Sequence, residues 1–463
     1  MLGPTDGGGQ AEFAPPRRLI PEDVALPAGY RIEAIARELT FPTAITFDDA
    51  GRLYVVEAGY SYGPVTTTPR LLRIRSDGAH ETIASGGNPP WNGVAHHRGA
   101  FYVAEGEHLG RLTRIAMDGT ITPLVEDLPS FGDHHTNGPV LGPDGWLYFA
   151  QGTATNSGVV GVDNWKFGWL ERYPRFHDVP GADITLRGHN FESENPLTED
   201  PRDRAVTGAY MPFGTPSTPG QVVKGQVKAT GSILRVKPEG GKVEQVAWGL
   251  RNPFGLAFAP DGRLYVTENG FDIRGSRPVF GSADFLWKIT PGTWYGWPDF
   301  VGGHPIEDHR YKAPGKPQPR FLLAEHPNAP PKPTAALGVH SSSNGLDFSR
   351  SAAFGHVGKA FIAQFGDMVP EVGKVLSPVG FKVIMVDPET GVVEDFAVNR
   401  GSVNGPASKL GSGGLERPVS ARFGLKGEAL YVVDFGVMTM GPKGPEPRAK
   451  TGVIWRITRE GRS

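Results

Sequence analysis

The feature that most constrains this chain is a unit that recurs along almost its whole length. Each copy has an apolar strand, a turn built on Asp and Gly or a close equivalent, and a second strand of the type Leu-Tyr-Val-x-x. Asp-Gly supplies the positive-φ positions that a tight turn between antiparallel strands needs. Six copies are present, at residues 41–59, 92–106, 137–152, 251–270, 343–366 and 417–436.

A third strand follows each copy. It alternates apolar residues with basic or polar ones, as in LLRIRSDG (71–78) and VIWRITREG (453–461), and in several units a fourth strand comes next, as in GKVEQVAWGL (241–250). Four antiparallel strands repeated six times are typical of the blades of a β-propeller. The sequence therefore predicts an all-β fold, a six-bladed β-propeller with four-stranded antiparallel blades.

The two ends of the chain indicate how the ring closes. The last unit ends after its third strand, whereas an unassigned strand, GYRIEAIAREL (29–39), precedes the first unit. We expect this N-terminal strand to become the outermost strand of the last blade, because that pairing leaves no sheet edge exposed. The predicted organisation is an N-terminal extension (1–27) followed by a single propeller domain (28–463).

Two long tracts interrupt the repeat, at about 154–230 and 294–339, and both are rich in Pro and Gly. They either form surface loops without a functional role or form the sides of a substrate cleft on one face of the ring. We favour the cleft, because long ordered loops on a rigid scaffold commonly carry function.

Composition excludes several classes of function. The chain has 47 Lys and Arg against 49 Asp and Glu, so its net charge of −2 disfavours nucleic-acid and membrane-surface partners. It has no cysteine, which rules out disulfides, thiolate metal sites and cysteine nucleophiles. No apolar run has the length of a transmembrane helix or, near the start, of a signal peptide. We therefore expect no membrane insertion.

Two clusters that precede innermost strands could carry chemistry. Asp133, His134 and His135 precede one such strand, and an imidazole at the rim of the central channel can take up a proton near neutral pH. Arg251 and Asn252 hold the equivalent rim position of the next unit, where the donor fork of arginine suits a carboxylate or an oxyanion. Structural roles stay open, namely turn histidines with local partners and a channel arginine paired with an acid.

A third cluster, Glu268-Asn269-Gly270-Phe271-Asp272, ends the hairpin of that same unit. Backbone carbonyls around a glycine turn beside carboxylates suit a hard cation such as Ca²⁺, and such turns also occur without an ion. Arg417 opens the sixth unit, where a structural role is the alternative. The chain has no glycine-rich phosphate loop, no Gly-x-Ser-x-Gly elbow and no His-Glu-x-x-His zinc pattern.

Together these motifs resemble the soluble glucose/sorbosone dehydrogenases, six-bladed propellers that bind pyrroloquinoline quinone, and within them the sorbosone-type branch. The resemblance spans about residues 28–460 and rests on DHHTN…GPDGWLYFAQG, GLRNPFGLAFAPDGRLYVTENG, WYGWPDF and ERPVSARF…ALYVVDFG. It implies a periplasmic or secreted enzyme, with its export signal not part of this chain, that oxidises a sugar or alcohol. The electrons would pass to an external acceptor.

The resemblance also implies a role for each candidate residue. His134 would act as general base while a hydride passes from the substrate carbon to a quinone carbonyl carbon. Arg251 would stabilise the oxyanion that grows there and bind the cofactor. Asn252 and Asp133 would help to position the cofactor, and Arg417 would pair with one of its carboxylates.

Calcium is the second cofactor that the resemblance implies. Main-chain carbonyls of Gly270 and Phe271 would hold it against the quinone oxygen. The chain departs from the glucose-oxidising members at Thr153, where they have an Asp that orients the imidazole, and at Gly366 and Val419, where they have cations. Losing two cations weakens binding of a tricarboxylate by several kcal/mol, at about 1.5–3 kcal/mol for each charged hydrogen bond.

Two other functions fit the same fold. A Ca²⁺-dependent hydrolase of the lactonase kind needs a carboxylate-rich ring at the starts of the six inner strands, which this sequence lacks. A binding propeller without catalysis is favoured if His134 and Arg251 are paired inside the protein.

Overall fold

Short alternating apolar strands pair with their neighbours throughout the chain, and they build six antiparallel sheets. The structure is a computed structural model that describes residues 16–60, 67–106, 109–369, 371–441 and 444–460. The first strand of each sheet packs against the first strand of the next, and that of the last sheet packs against that of the first. The sheets therefore form a closed ring, and the predicted six-bladed propeller with four-stranded blades is confirmed.

The first three blades follow the chain order. Blade 1 has strands Pro42–Phe47, Leu53–Glu57, Arg70–Ile74 and His80–Ser85. Blade 2 has strands Trp91–His97, Ala100–Glu105, Gly110–Ala116 and Ile121–Leu128. Blade 3 has strands Thr136–Leu141, Leu147–Gln151, Ser232–Val236 and Glu244–Trp248.

The other three blades complete the ring. Blade 4 has strands Asn252–Phe258, Leu264–Asn269, Ala283–Lys288 and Ala335–Val339. Blade 5 has strands Ser343–Phe348, Ala360–Gln364, Lys382–Val386 and Val393–Asn399. Blade 6 has strands Pro418–Phe423, Ala429–Asp434, Gly452–Arg459 and Tyr30–Leu39.

The N-terminal strand closes the ring as predicted. Tyr30–Leu39 pairs antiparallel with Gly452–Arg459 and forms the outermost strand of blade 6. A shorter strand, Val24–Ala25, pairs with the edge of blade 5 and gives that sheet a fifth strand. The described end of the N-terminal extension is thus part of the propeller, whereas its residues 1–15 lie outside the described residues.

The long tracts lie between blade strands and carry the remaining elements. The first tract lies between strands 2 and 3 of blade 3. The second lies between strands 3 and 4 of blade 4, and its last residues, Ala335–Val339, are the fourth strand of that blade and not part of an insertion. Helices are Val162–Lys166, Trp169–Arg172 and Ala407–Leu410, with 3₁₀ turns at Pro21–Asp23 and His309–Tyr311. Two-stranded ribbons pair Ile184–Thr185 with Val222–Val223, Asn190–Glu194 with Arg204–Gly208, Phe300–Val301 with His304–Pro305, and Met438–Gly441 with Gly444–Pro447.

Apolar layers between neighbouring blades form the core. Between blades 1 and 2, for example, large side chains of both sheets pack together, namely Tyr54, Val56, Leu71, Trp91, Phe101 and Val103. Burial of such side chains stabilises the fold by about 25 cal/mol for each Å² of apolar surface. Among the described residues, no helix is long and apolar enough to cross a bilayer.

Small residues line the axis where the six first strands converge. Four of the six equivalent positions are glycine, and the six are Ala44, Gly93, Gly138, Gly255, Gly345 and Ser420. A Cβ on Gly93 would lie 2.1 Å from the carbonyl oxygen of Gly138, and one on Gly255 would lie 2.4 Å from that of Asn344. The inner strands therefore approach so closely that most blades have no room for a side chain there.

A buried polar side chain ends the second strand of every blade. We call these six residues the anchors: Glu57, Glu105, Gln151, Glu268, Gln364 and Asp434. Each anchor pairs in register with a first-strand residue at the rim of the channel: Pro42, Trp91, Thr136, Pro253, Ser343 and Pro418.

Four of the six anchors bind the loops that lead into the first strands, namely Glu57, Gln151, Glu268 and Asp434. Glu268 accepts a hydrogen bond from the backbone N–H of Arg251, and Asp434 accepts one from that of Arg417 at 3.0 Å. Gln151 donates to the carbonyl oxygen of Pro129 at 3.0 Å. Because buried polar groups cost free energy unless they are paired, these four anchors fix the rim loops to the sheets.

We expect Gly93→Ala to destabilise the propeller by about 1–3 kcal/mol, because the added methyl group overlaps the backbone of blade 3. The measurement is chemical unfolding followed by tryptophan fluorescence. Gly87→Ala is the matched control, since a Cβ there meets nothing within 4 Å. Equal losses in the two variants would contradict close packing at the axis.

Candidate functional site

The six first strands begin around one cavity, which has a volume of about 220 Å³. One residue from each blade, directly after the residue that pairs with the anchor, faces it: Thr43, Asn92, Asn137, Phe254, Asn344 and Val419. Five of the seven predicted site residues line it as well: Asp133, His134, Arg251, Asn252 and Gly270. The structure therefore brings most of the predicted site to one end of the central channel.

His134 and Arg251 occupy equivalent positions in neighbouring blades. Each lies two residues before the first-strand residue that pairs with the anchor of its blade, Thr136 in blade 3 and Pro253 in blade 4. The repeat of the blade geometry thus carries both side chains to the same height on the channel rim. Both are largely buried, with relative exposures of 8% and 2%.

The contacts of His134 define which ring nitrogen carries the proton. Its Nδ1 lies 2.9 Å from the carbonyl oxygen and 3.1 Å from the hydroxyl oxygen of Thr153. That hydroxyl donates its own hydrogen to the carbonyl oxygen of Thr155 at 2.8 Å, so both oxygens of Thr153 act as acceptors. Nδ1 therefore carries the hydrogen, and Nε2 has the lone pair that a general base uses.

Burial is the main influence on the charge of His134. Together with the positive charges of Arg251 and Arg274, it holds the pKa of His134 well below the usual range for histidine. The imidazole is therefore neutral at neutral pH, and its unprotonated Nε2 is available as an acceptor.

The backbone of Thr153 connects the imidazole of His134 to the backbone of Arg251. Its carbonyl oxygen accepts from His134, while its N–H donates to the carbonyl oxygen of Arg251 at 2.8 Å. The next residue, Ala154, donates its N–H to Asp178 at 2.7 Å. Burial raises the pKa of Asp178 to about 7. The first long tract thus supplies the groups that hold the base in place.

Arg251 is held by a set of hydrogen bonds. Its Nε donates to the carbonyl oxygen of Asn156 at 3.0 Å, and its Nη2 donates to the side chains of Asn156 at 2.9 Å and Asp272 at 2.8 Å. Its Nη1 makes one longer contact, 3.3 Å to the carbonyl oxygen of Asn269. A guanidinium has five N–H groups, so one N–H on Nη1 is left for a ligand.

Arg274 is a cavity residue that the sequence analysis did not identify. Its Nη1 lies 2.7 Å from both Asp133 and Asp163, and its Nη2 lies 3.0 Å from Asp272. One guanidinium therefore balances three carboxylates that are far apart in the sequence. Asp133 still has its pKa raised to about 6, chiefly by burial.

Asn252 belongs to a row of amide side chains from blades 3 and 4 that ends on a backbone carbonyl of blade 5. It donates to the side-chain oxygen of Asn269 at 2.8 Å and accepts from Asn137 at 3.3 Å. Asn269 in turn donates to the carbonyl oxygen of Ser343 at 2.9 Å. This row fixes the orientation of the amides along one side of the cavity.

Gly270 and Phe271, the predicted calcium ligands, have their amide groups engaged and their carbonyl groups open. Gly270 donates to Asp284 at 2.9 Å and Phe271 donates to Ser282 at 3.0 Å. Within the described residues, no hydrogen bond reaches either carbonyl oxygen. Gly270 lines the cavity, whereas Phe271 is buried behind it.

Arg417 lies outside the cavity lining. It is fully buried, and its guanidinium packs over the rings of Phe365 at 4.8 Å and Phe381 at 5.1 Å. Its Nη1 contacts the carbonyl oxygens of Phe365, Gly366 and Asp367 at 3.2–3.3 Å. Burial lowers the pKa of Arg417 to about 10. Its predicted contact with a cofactor carboxylate stays a prediction, because Arg417 is not among the residues that line the cavity.

His340 is a second cavity imidazole that the sequence analysis did not identify. It precedes the first strand of blade 5 by three residues, in the sequence VHSSSNG, and its side chain is 3% exposed. His134 was identified because it is a histidine just before a first strand. His340 also lies just before a first strand, that of blade 5, so the same criterion would have identified it from the sequence.

Side chains of blades 5, 6 and 1 make the opposite wall apolar. Phe365, Met368, Phe435 and Met438 line the cavity there, together with Tyr60. The first long tract contributes Phe167, and no described residue of the second tract lines the cavity. One half of the cavity is thus polar and the other half is suited to a flat apolar surface.

Comparison with models of protein families gives no match, and neither does comparison with curated protein sequences. Solved structures do match along nearly their full length. The PQQ-bound aldose sugar dehydrogenase from Streptomyces coelicolor has a TM-score of 0.53 at 15% identity, over 94% of this chain and 99% of that one. The holo PQQ domain of pyranose dehydrogenase from Coprinopsis cinerea has a TM-score of 0.56 at 15% identity, over 96% and 98%. The apo soluble aldose sugar dehydrogenase from Escherichia coli has a TM-score of 0.54 at 15% identity, over 93% and 99%. At these identities the likeness is one of fold.

We expect His135→Phe to flatten the dependence of stability on pH. Burial lowers the pKa of His135 to about 3, so between pH 6.5 and 3 the unfolded chain binds a proton that the folded chain excludes. Stability conferred by the neutral ring is therefore lost as the pH falls below about 6.5, at up to about 1.4 kcal/mol per pH unit.

Urea unfolding at pH 7.5, 6.5, 5.5 and 4.5 measures the difference. The wild-type chain should lose stability relative to His135→Phe on acidification, while the exposed His80, replaced by Phe, serves as the control. Parallel curves for wild type and His135→Phe would rule out a buried neutral imidazole.

Proposed function

We propose that this chain is a quinone-dependent dehydrogenase that oxidises a sugar or alcohol in the channel cavity, with His134 as the general base. The observation that carries the proposal is the orientation of one imidazole. Thr153 holds the Nδ1 hydrogen of His134, and the lone pair of Nε2 is left for a substrate hydroxyl in a cavity that Arg251 also lines.

The solved structures of similar fold support this choice of chemistry. Two of them are named as PQQ-bound or holo sugar dehydrogenases, and each aligns with more than nine-tenths of this chain. We extend their cofactor class to this chain because a base, a guanidinium and an apolar wall share one cavity. The sorbosone-type branch and a periplasmic or secreted location stay predictions.

In the proposed reaction His134, Arg251 and Asn252 each have a separate role. His134 accepts the hydroxyl proton at Nε2, and its low pKa keeps it unprotonated well below pH 6.5. The free N–H of Arg251 would stabilise negative charge that develops beside it, and Asn252 would orient the bound ring. Pyrroloquinoline quinone, when bound, supplies the acceptor for the hydride that leaves the substrate carbon.

The residues present fit the quinone end of this cofactor better than its carboxylate end. The apolar wall with Phe365 and Phe435 suits a flat ring system, and the polar wall offers Arg251 to a quinone oxygen. Both arginines of the described lining, Arg251 and Arg274, already pair with acids. The acidic residues of the lining outnumber them: Asp133, Asp272, Asp284 and Glu371. We therefore expect weak binding without a divalent cation.

Calcium would supply the missing positive charge. The open carbonyl oxygens of Gly270 and Phe271 are ligands of the kind that Ca²⁺ prefers. Among the described residues, no group of three or more histidine and acidic side chains is arranged to hold a metal ion. A calcium site here would consequently depend on main-chain oxygens, water and the cofactor itself.

The same observation weighs against the hydrolase alternative, because a lactonase-type centre relies on a protein-bound metal ion. The binding propeller is supported in part, since Arg251 pairs with Asp272 at 2.8 Å. The dehydrogenase is favoured because the Nε2 of His134 has no hydrogen-bond partner among the described residues, and both side chains line one cavity.

We expect His134→Ala to bind pyrroloquinoline quinone in the presence of Ca²⁺ with an affinity within about threefold of wild type. The variant should lose about 10²- to 10⁴-fold in the rate of dye reduction with sugars and sugar alcohols, the usual contribution of a general base. Exposed His80→Ala is the control. Full activity of His134→Ala would show that another group is the base, and no quinone binding by the wild-type chain would contradict the proposed function.

We expect Val419→Arg to tighten binding of pyrroloquinoline quinone by about 10- to 100-fold, because it adds one charged hydrogen bond to a cofactor carboxylate. Val419 lines the cavity and is 3% exposed, so a longer side chain extends inward. Isothermal titration calorimetry with Ca²⁺ measures the affinity. Val419→Met is the matched control, because it lengthens the side chain without adding a charge. Equal affinities for the two variants would contradict the view that a missing cation weakens binding of the cofactor carboxylates.

A further inference from the structure

His340 lines the cavity, and one nitrogen of its buried imidazole is left unpaired. Its Nε2 is buried and has no hydrogen-bond partner among the described residues. The residue adopts a left-handed backbone conformation, with φ of 55°, which non-glycine residues rarely do. A buried nitrogen without a partner destabilises the protein, so a ligand group that pairs with it is bound more favourably.

The other nitrogen of His340 faces the carboxylate that holds Arg251. Nδ1 lies 3.6 Å from Oδ1 of Asp272, while Oδ2 of Asp272 accepts from Arg251. Oδ1 has no hydrogen bond within the described part of the chain, so the two atoms are free to approach each other. The negative charge favours a hydrogen on Nδ1, and Nε2 then acts as an acceptor.

The chemistry around His340 selects the class of ligand group. Asp284 interacts electrostatically with the imidazole. It accepts hydrogen bonds from the N–H of Gly270 and Ser343 and from the hydroxyl of Ser341. Because Asp272 is also close to the imidazole, an anionic ligand group would be repelled there. A hydroxyl group can donate to or accept from an imidazole, so it fits either form of the ring.

We infer that His340 accepts a hydrogen bond from a second hydroxyl group of the substrate. This inference rests on the proposed function: His134 receives the proton of the hydroxyl that is oxidised, and His340 accepts a hydrogen bond from a neighbouring one. It makes His340 a specificity-determining residue, contributed by the loop that leads into the first strand of blade 5.

The test compares glucose with tetrahydropyran-2-ol, which has the same ring and hemiacetal hydroxyl and no other hydroxyl group. We expect His340→Leu to raise KM for glucose about tenfold, the effect of one hydrogen bond, and to change kcat less than threefold. The kinetic constants for tetrahydropyran-2-ol should stay unchanged. His340→Gln, whose amide can accept a hydrogen bond, should recover part of the loss, and exposed His80→Leu is the control.

A binding measurement separates this inference from the proposed function. Glucose should shift the ¹⁵N resonance of the His340 ring in the cofactor-free chain, and its dissociation constant should rise about tenfold in His340→Leu. If the quinone-loaded wild type binds glucose but does not oxidise it, the proposed function is contradicted and the role of His340 is retained. An equal loss for both compounds, an equal affinity of wild type and His340→Leu for glucose, or no glucose binding by the wild type would overturn the role of His340.

Discussion

The buried anchor at the end of each second strand is the constraint on which the site depends. The strand pairing of a propeller fixes the positions of its strands, but it does not by itself fix the loops at the rim of the channel. In four of the six blades the anchor supplies that accuracy, since an acid or amide buried in the blade must find partners and takes them there from the loop before the first strand. Glu268 fixes the backbone of Arg251 in this way, although burial raises the pKa of Glu268 to about 7. Burial of Glu268 is unfavourable, but its hydrogen bond to the backbone fixes the position of Arg251 in the site.

The two halves of the candidate site are joined through the backbone of one residue, Thr153. Because its carbonyl group binds the imidazole of blade 3 and its N–H binds the backbone of blade 4, a shift of either blade would disturb both contacts. This arrangement also explains how the chain manages without a carboxylate behind His134. A main-chain carbonyl fixes the same tautomer, and it does so without the negative charge that would raise the basicity of the ring.

Much of the architecture could be predicted from the sequence, and less of the site. The six hairpins, the closing strand and the cavity position of His134 and Arg251 follow from local patterns, which repeat at recognisable spacing. The strand at Ala335–Val339 was missed because it follows a proline-rich tract and has only five residues. The anchors were also visible in the sequence repeat, as an acid or amide at the end of each Leu-Tyr-Val-type segment. The six segments are LYVVE, FYVAE, LYFAQ, LYVTE, FIAQ and LYVVD. Arg274 could not be predicted, since its partners Asp133 and Asp163 lie more than a hundred residues away and only the folded chain brings them together.

The charge balance of the cavity follows from that long-range cluster. Arg274 neutralises carboxylates that would otherwise repel one another in a buried site, and Arg251 shares Asp272 with it. Both guanidinium groups are therefore held rigidly, which favours precise contact with a small polar group and disfavours the capture of several carboxylates at once. Arg417 packs over the rings of Phe365 and Phe381 and is not among the residues that line the cavity. The geometry thus favours ligands that are neutral and rich in hydroxyl groups, and it makes the binding of an acidic cofactor dependent on an added cation.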